Sequence, residues 1–211
     1  MTDAFTDVVA PVIQGVIDFQ DGLLQGKHPT VDEQKRALVD LLNWSEDRAG
    51  RSSPEVARDF ELAKRALVYW IDEILITSSW SHAQEWTNHI LEFSLYRESA
   101  AAVRFYEKAI EAEKRDSTDP LEVFFLCVAL GFRGDLASNE EEIRRWASRV
   151  HERITEGTQH PEQYLPEPQG RQLESELRPL QGGRLLFVVS LLVAATAVVT
   201  LAGFIAAVHW R

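Results

Sequence analysis

The sequence predicts an all-α fold, with about seven helices followed by one C-terminal transmembrane helix. Apolar residues recur at three- and four-residue spacing through most of residues 1–157, which is the pattern of helices with one buried face. No stretch alternates apolar and polar residues as a half-buried strand does. A long apolar run without charge near the C-terminus predicts the membrane helix.

An apolar stripe predicts the first helix, and N-terminal capping residues predict the starts of the second and third. The second helix begins at Thr30, which has the capping-box spacing to Glu33, and it runs to about Gly50. Ser53 and Pro54 are typical N-cap and first-turn residues, and they predict the start of the third helix. The stripe of the first helix contains Phe5, Val8, Val9, Val12, Ile13, Val16, Ile17, Leu23 and Leu24.

Three helices are predicted between residues 80 and 134. A short one contains Trp86, Ile90 and Phe93, and the next covers residues 99–115. A sixth helix starts at Asp119-Pro120 and stops at the glycines of Gly131-Phe132-Arg133-Gly134.

The seventh helix is predicted to begin at Ser138, with Glu141 as its capping-box partner, and to end near residue 157. Residues 158–183 contain four prolines among Gln, Glu and Gly, a composition that favours an extended linker. The helical domain is therefore expected to cover residues 1–157, with a Pro-rich tether after it.

The transmembrane helix is predicted over residues 184–208. The stretch from Leu185 to Val208 has no Asp, Glu, Lys or Arg, and a helix of that length can cross a hydrocarbon core of about 30 Å. Two arginines lie shortly before the span and one after it, and no signal peptide begins the chain. These features predict a cytoplasmic domain, a single inner-membrane pass and a short periplasmic tail of residues 209–211.

The part of the chain before residue 184 is acidic. It carries all 33 acidic residues and 20 of the 22 basic ones, a net charge of about −13. This balance argues against nucleic acid as a ligand and favours basic protein surfaces as partners.

The lone cysteine and the tryptophans of the domain are predicted to be core residues. Cys127 lies in an apolar run, with no basic neighbour in sequence to lower its pKa. The tryptophans expected in the core or between helices are Trp44, Trp70, Trp80, Trp86 and Trp146.

One set of residues could bind a metal. His82, Glu85 and His89 would share one face of a continuous helix, but no repeated Glu-x-x-His pair accompanies them. The glycines of residues 131–134 lack the preceding strand and the Lys-Ser/Thr of a phosphate-binding loop. The chain is therefore predicted to have no catalytic site and no cofactor, with a tail-anchored helical metalloenzyme as the alternative.

Within the predicted membrane helix, small residues line one face. Thr196, Thr200, Gly203 and Ala207 are spaced so that another helix could approach closely. Packing against a membrane partner or a second copy is one interpretation, and the general frequency of small residues in membrane helices is the other.

Several motifs in order resemble the DotU/IcmH family, whose type VI secretion members are called TssL. They comprise the stretch Arg65-Ala66-Leu67-Val68-Tyr69-Trp70-Ile71-Asp72-Glu73-Ile74-Leu75, then Trp80, the pair Phe105-Tyr106, and the run from Leu121 to Gly134 that ends Leu130-Gly131-Phe132-Arg133-Gly134. Their co-occurrence before a C-terminal membrane helix makes the resemblance fairly specific.

The resemblance implies a non-enzymatic scaffold subunit of a bacterial secretion complex, with a cytoplasmic domain of two small helical bundles. Its expected partners are an IcmF/TssM-like membrane protein, TssK- and TssE-like baseplate proteins, and possibly a second copy in a homodimer. A type IVB secretion subunit of the same family is the alternative to a type VI one.

Asp72 and Glu73 are the candidate partner-binding residues. They lie in a stretch that is apolar around most of its circumference, so a carboxylate there needs either an internal partner or an opening to solvent. Arg65, Arg133 or the first-turn amides of another helix could satisfy them. At about 100° per residue the two point in different directions. The resemblance implies that the acidic pair borders a cleft for cytoplasmic partners, and we expect at least one carboxylate to open onto it.

Overall fold

The computed structural model describes residues 1–157, which lie within one compact unit and whose regular structure is entirely helical. The helices are α1 (Asp3–Leu24), α2 (Val31–Ser52), α3 (Pro54–Thr77), α4 (Ala83–Trp86), α5 (Leu91–Tyr96), α6 (Ala101–Glu113), α7 (Asp119–Ala129) and α8 (Glu140–Gly157), with a 3-10 helix at Gly134–Leu136. None of the helices in residues 1–157 is long and apolar enough to span a bilayer. The predicted linker, membrane helix, tail and stripe of Thr196, Thr200, Gly203 and Ala207 lie outside the described residues.

Side-chain caps start α2 and α3 as the sequence predicts. The Thr30 hydroxyl accepts from the Glu33 amide, while the Glu33 carboxylate accepts from the Thr30 amide at 2.9 Å, so the capping box is confirmed. Ser53 Oγ accepts from the Val56 amide at 3.1 Å and Pro54 is the first residue of α3.

Two boundaries differ from the sequence prediction. The predicted short helix around residues 86–93 is divided into α4 and α5 by residues 87–90. The last helix begins at Glu140, because Asn139 Oδ1 accepts from the Glu142 amide at 3.2 Å and Asn139 Nδ2 donates to Glu142 Oε2 at 2.8 Å. The capping pair is therefore Asn139 and Glu142, one residue later than the predicted Ser138 and Glu141.

α3 is the central helix of the domain. It packs against α1 and α2 in one group and against α6 and α7 in the other, and α8 covers α7. Thirteen of its 24 residues are buried, including the fully enclosed Tyr69 and Trp70. The two bundles implied by the resemblance thus share one helix, which explains why its sequence is apolar on nearly every side.

The cysteine and four of the five tryptophans predicted for the core are buried, whereas Leu24, at the end of the predicted stripe of the first helix, is 86% exposed. Cys127 has no exposed surface, and Trp70, Trp80, Trp86 and Trp146 are each at most 5% exposed. Trp44 differs, since 47% of its surface is exposed on α2, where Arg48 lies over its ring.

Candidate functional site

Asp72 points from the C-terminal third of α3 into the start of α5. Its Oδ1 accepts from the Leu91 amide at 2.8 Å and from the Trp86 indole at 3.0 Å, and its Oδ2 accepts from the Glu92 amide at 2.8 Å. The side chain is buried and all three contacts are N–H donors. Since no side chain of α5 itself caps its first amides, the α3 carboxylate supplies their partners.

A second internal carboxylate, Glu92, continues the chain of contacts. It is 2% exposed, and its two oxygens accept from the amides of Ala100 at 2.8 Å and Ala101 at 3.1 Å, at the start of α6. The sequence analysis missed Glu92, although it is an acid inside the apolar run Ile90-Leu91-Glu92-Phe93, which is the signal that identified Asp72. Asp72 therefore positions α5, and α5 carries the carboxylate that positions α6.

Glu73 points to the turn that follows α7. Its Oε1 accepts from the Arg133 amide at 2.7 Å and its Oε2 from the Gly134 amide at 3.0 Å, and the side chain is half-buried. Gly134 has φ 56°, and a Cβ there would lie 2.8 Å from the Ala102 carbonyl oxygen. Glycine is needed both for that backbone conformation and for this close approach.

The predicted divergence of the acidic pair is confirmed, but the basic partners considered for it are not used. Arg133 contributes its backbone amide to Glu73, while its guanidinium donates to the carbonyls of Val128 and Phe132. Arg65 instead donates to the Tyr69 hydroxyl at 3.3 Å and to Glu98 at 3.4 Å. Both carboxylates are satisfied by amides of other segments, so neither is an unpaired buried charge.

The pKa of the Asp72 carboxyl is raised from its ordinary 3.8 to about 6. Burial is the largest cause, the nearby Glu92 carboxylate also raises the pKa, and the three N–H donors offset part of the increase. The side chain is consequently ionised at neutral pH but is protonated in mild acid.

The possible metal-binding face is not formed. His82 Nδ1 lies 3.0 Å from Glu85 Oε2, but α4 ends at Trp86, so His89 is not on the same helix. Residues 1–157 contain no group of three or more His, Cys, Asp or Glu side chains placed to hold a metal ion. Burial also raises the pKa of the Cys127 thiol. In this arrangement the carboxylates of α3 and α5 hold the starts of α5, α6 and the 3-10 helix.

Comparison with known proteins adds a family and a fold. The family model described as "Type VI secretion system protein DotU" matches residues 4–210. The solved cytoplasmic domain of TssL from Acinetobacter baumannii is similar in structure, with a TM-score of 0.62 and 24% sequence identity over 72% of this chain and 98% of that one. A search of curated proteins found no match.

The amide contacts predict different outcomes for neutralising the two acids of α3. In Asp72→Asn the Nδ2 group has no lone pair to accept the buried Glu92 or Leu91 amide, so we expect the free energy of unfolding to fall by about 1–3 kcal/mol. Glu73→Gln can turn its amide towards water, and we expect a loss of about 1 kcal/mol or less. Urea unfolding of the full chain in detergent, followed by helical circular dichroism, measures both. Asp40→Asn, an exposed acid on α2, is the control, and equal losses in all three variants would contradict the assignment.

The raised pKa of Asp72 predicts a pH dependence with a definite sign. Because the folded-state pKa of about 6 lies above the unfolded value of 3.8, this group stabilises the domain most below the unfolded value. That contribution falls by about 1.4 kcal/mol for each pH unit between the two pKa values, and it is lost once the pH has risen through 6. The unfolding free energy of the natural chain minus that of Asp72→Asn should therefore decrease between pH 4 and pH 7.5. A difference that is constant with pH would show that the carboxyl does not titrate in this range.

Proposed function

The chain belongs to the DotU family of type VI secretion system proteins, and we propose that it is a tail-anchored inner-membrane scaffold subunit that docks cytoplasmic baseplate proteins to the membrane complex. The observation that carries the proposal is the family match over residues 4–210, which includes both the helical domain and the apolar run of the predicted anchor. A subunit of this family works through protein contacts. The proposed partners are an IcmF/TssM-like membrane protein and TssK- and TssE-like baseplate proteins.

The proposed docking surface lies around Glu73, at the C-terminal ends of α3 and α7. Ile76 is one helical turn after Glu73 and is 39% exposed, and Leu130, whose carbonyl accepts from the Trp70 indole at 3.4 Å, is 38% exposed. The half-buried Glu73 carboxylate thus shares the end of α3 with Ile76 and contacts the turn that follows Leu130. An acid next to exposed apolar groups suits a partner that brings a basic side chain and an apolar one.

The two acids of the pair have different proposed roles. Asp72 is 4% exposed, so a partner cannot reach it without opening the domain, and its proposed effect on docking is through the position of α5. Glu73 keeps part of its surface accessible and is the proposed direct contact. The expectation that at least one carboxylate faces a partner therefore rests on Glu73.

The proposed function predicts specific co-purification. From membranes of cells that express the whole secretion complex, the tagged full chain should bring down the IcmF/TssM-like protein and the baseplate proteins. Glu73→Lys should leave the domain folded but less stable, because the Arg133 and Gly134 amides lose their acceptor. It should also reduce recovery of a baseplate protein about 5- to 150-fold, because charge reversal at a contact costs about 1–3 kcal/mol. Mass spectrometry of the eluate and a thermal melt of the same preparation are the measurements.

Glu61→Lys on α3, an exposed acid well before Glu73 in the helix, is the matched control and should bind normally. Absence of every secretion-complex subunit from the eluate would overturn the proposed function. Normal baseplate recovery with Glu73→Lys would overturn only the docking surface.

The stripe of Thr196, Thr200, Gly203 and Ala207 is proposed to pack against another membrane helix. Only small side chains let two helix backbones come into van der Waals contact, so Gly203→Leu should weaken association of the membrane helix with itself or its partner. A membrane two-hybrid reporter measures this, and Leu191→Ile on the same helix is a volume-conserving control. Unchanged association in Gly203→Leu would mean that this face is not an interface.

A further inference from the structure

The domain has a local cationic and aromatic surface around α5, which we call the Phe93 surface and define by Lys35, Phe93 and Arg97. Phe93 is 51% exposed, and the guanidinium carbon of Arg97 lies 5.6 Å from the centre of its ring. In the same segment, Lys35 Nζ of α2 donates to Ser94 Oγ at 2.6 Å and to the His89 carbonyl at 3.0 Å. Two cations therefore contact the short segment of residues 89–97 that carries this exposed ring.

These cations have no carboxylate partner among residues 1–157. Neither Lys35 nor Arg97 is in an ion pair within 4.0 Å, and Asp32, one helical turn before Lys35, pairs with neither. The acids at α5 are engaged elsewhere. Glu92, a buried residue of α5, accepts from the start of α6, and Asp72 accepts from the first amides of α5. Glu98 pairs with Arg65 at 3.4 Å. Residues 1–157 carry 29 acidic and 18 basic residues, and Lys35 and Arg97 are among the cations that no carboxylate of the domain pairs with.

The backbone of Arg97 is unusual as well. It is the C-cap of α5, its amide donates to the Phe93 carbonyl at 3.0 Å, and it has φ 58°. It is the one residue other than glycine with positive φ in the described part of the chain. Glycine is preferred in this conformation, because a Cβ there crowds the backbone. An arginine at this position places its guanidinium beside Phe93 at the expense of local stability, as residues at functional sites often do.

We propose that the Phe93 surface binds an acidic segment of a partner protein, in which Asp or Glu side chains meet Lys35 and Arg97 and an apolar side chain covers Phe93. Charge complementarity selects this occupant, because unpaired cations on an acidic domain attract carboxylates, and a guanidinium can hold one with two parallel hydrogen bonds. Aromatic and arginine side chains are also the residues that most often dominate the affinity of protein interfaces.

The inference rests on the proposed scaffold role and concerns a different surface from that of Glu73. Asp72 connects the two, since it holds the first amides of the helix that carries Phe93. Substitution of Asp72 would therefore disturb the Phe93 surface without being part of it.

Site-specific photo-crosslinking in the assembled complex tests the proposal. Benzoylphenylalanine replaces Phe93 in the full chain, in cells that express the whole secretion system, and adducts are sequenced by mass spectrometry. The same substitution at Ile110 of α6, which is 49% exposed, is the matched control. We expect the Phe93 probe, and not the Ile110 probe, to join a protein segment that has at least two acidic residues close to an apolar one. A probe at the exposed His89 serves as a second site if the Phe93 variant does not accumulate.

Arg97→Gly distinguishes a loss of binding from a loss of stability, because it is expected to stabilise the fold while it weakens binding. Relief of the left-handed backbone should raise the unfolding midpoint by about 2–4 °C, while loss of the guanidinium should lower the His89 crosslink yield about tenfold. Lys114→Ala, at an exposed lysine directly after α6, should change neither.

A crosslink to phospholipid, to a basic segment or to a second copy of this chain would overturn the proposal. So would an unchanged crosslink yield in Arg97→Gly, or the absence of an adduct at both probe sites while the complex assembles normally. Failure of the chain to join the secretion complex at all would instead count against the proposed function.

Discussion

The described domain depends on carboxylates that accept hydrogen bonds from the backbone amides of other segments. The first amides of a helix have no partner within it, and α5, with six residues, is too short to form alone. Asp72 supplies those partners for α5, Glu92 for α6, and Glu73 for the turn before the 3-10 helix. The apolar helix α3 thereby fixes the position of segments that bury few side chains of their own.

This constraint explains how two neighbouring acids can have different roles. Asp72 is enclosed between α3 and α5, whereas Glu73, one residue later, reaches the turn at residues 131–134 and keeps some exposed surface. A helix rotates by about 100° per residue, so adjacent side chains face different neighbours. Loss of partner binding in an Asp72 variant would therefore report a displaced α5 and not a lost contact, and stability must be measured together with binding.

A scaffold subunit benefits from such an arrangement, because a binding surface loses less entropy on association when its elements are already held in place. α3 holds both the Glu73 surface, with Ile76 and Leu130, and the α5 segment that displays Phe93 and Arg97. The proposed partner of the first surface is basic and that of the second acidic. One central helix can thus support two surfaces of opposite charge on a domain that is acidic as a whole.

The sequence alone determined the all-helical fold, the order of the long helices and the caps of α2 and α3, because the period of the apolar pattern and the capping pairs are local signals. Thr30 with Glu33 is such a capping pair, and the apolar run around Cys127 is such a pattern, which predicted that the cysteine is buried. Only the tertiary structure decided which donors satisfy Asp72 and Glu73, because four of the five are backbone amides, which every sequence carries, and they lie about 20 and about 60 residues away. The Phe93 surface escaped the sequence analysis for the same reason: Lys35 is 59 residues from Ser94 in the chain, and only folding brings them within 2.6 Å.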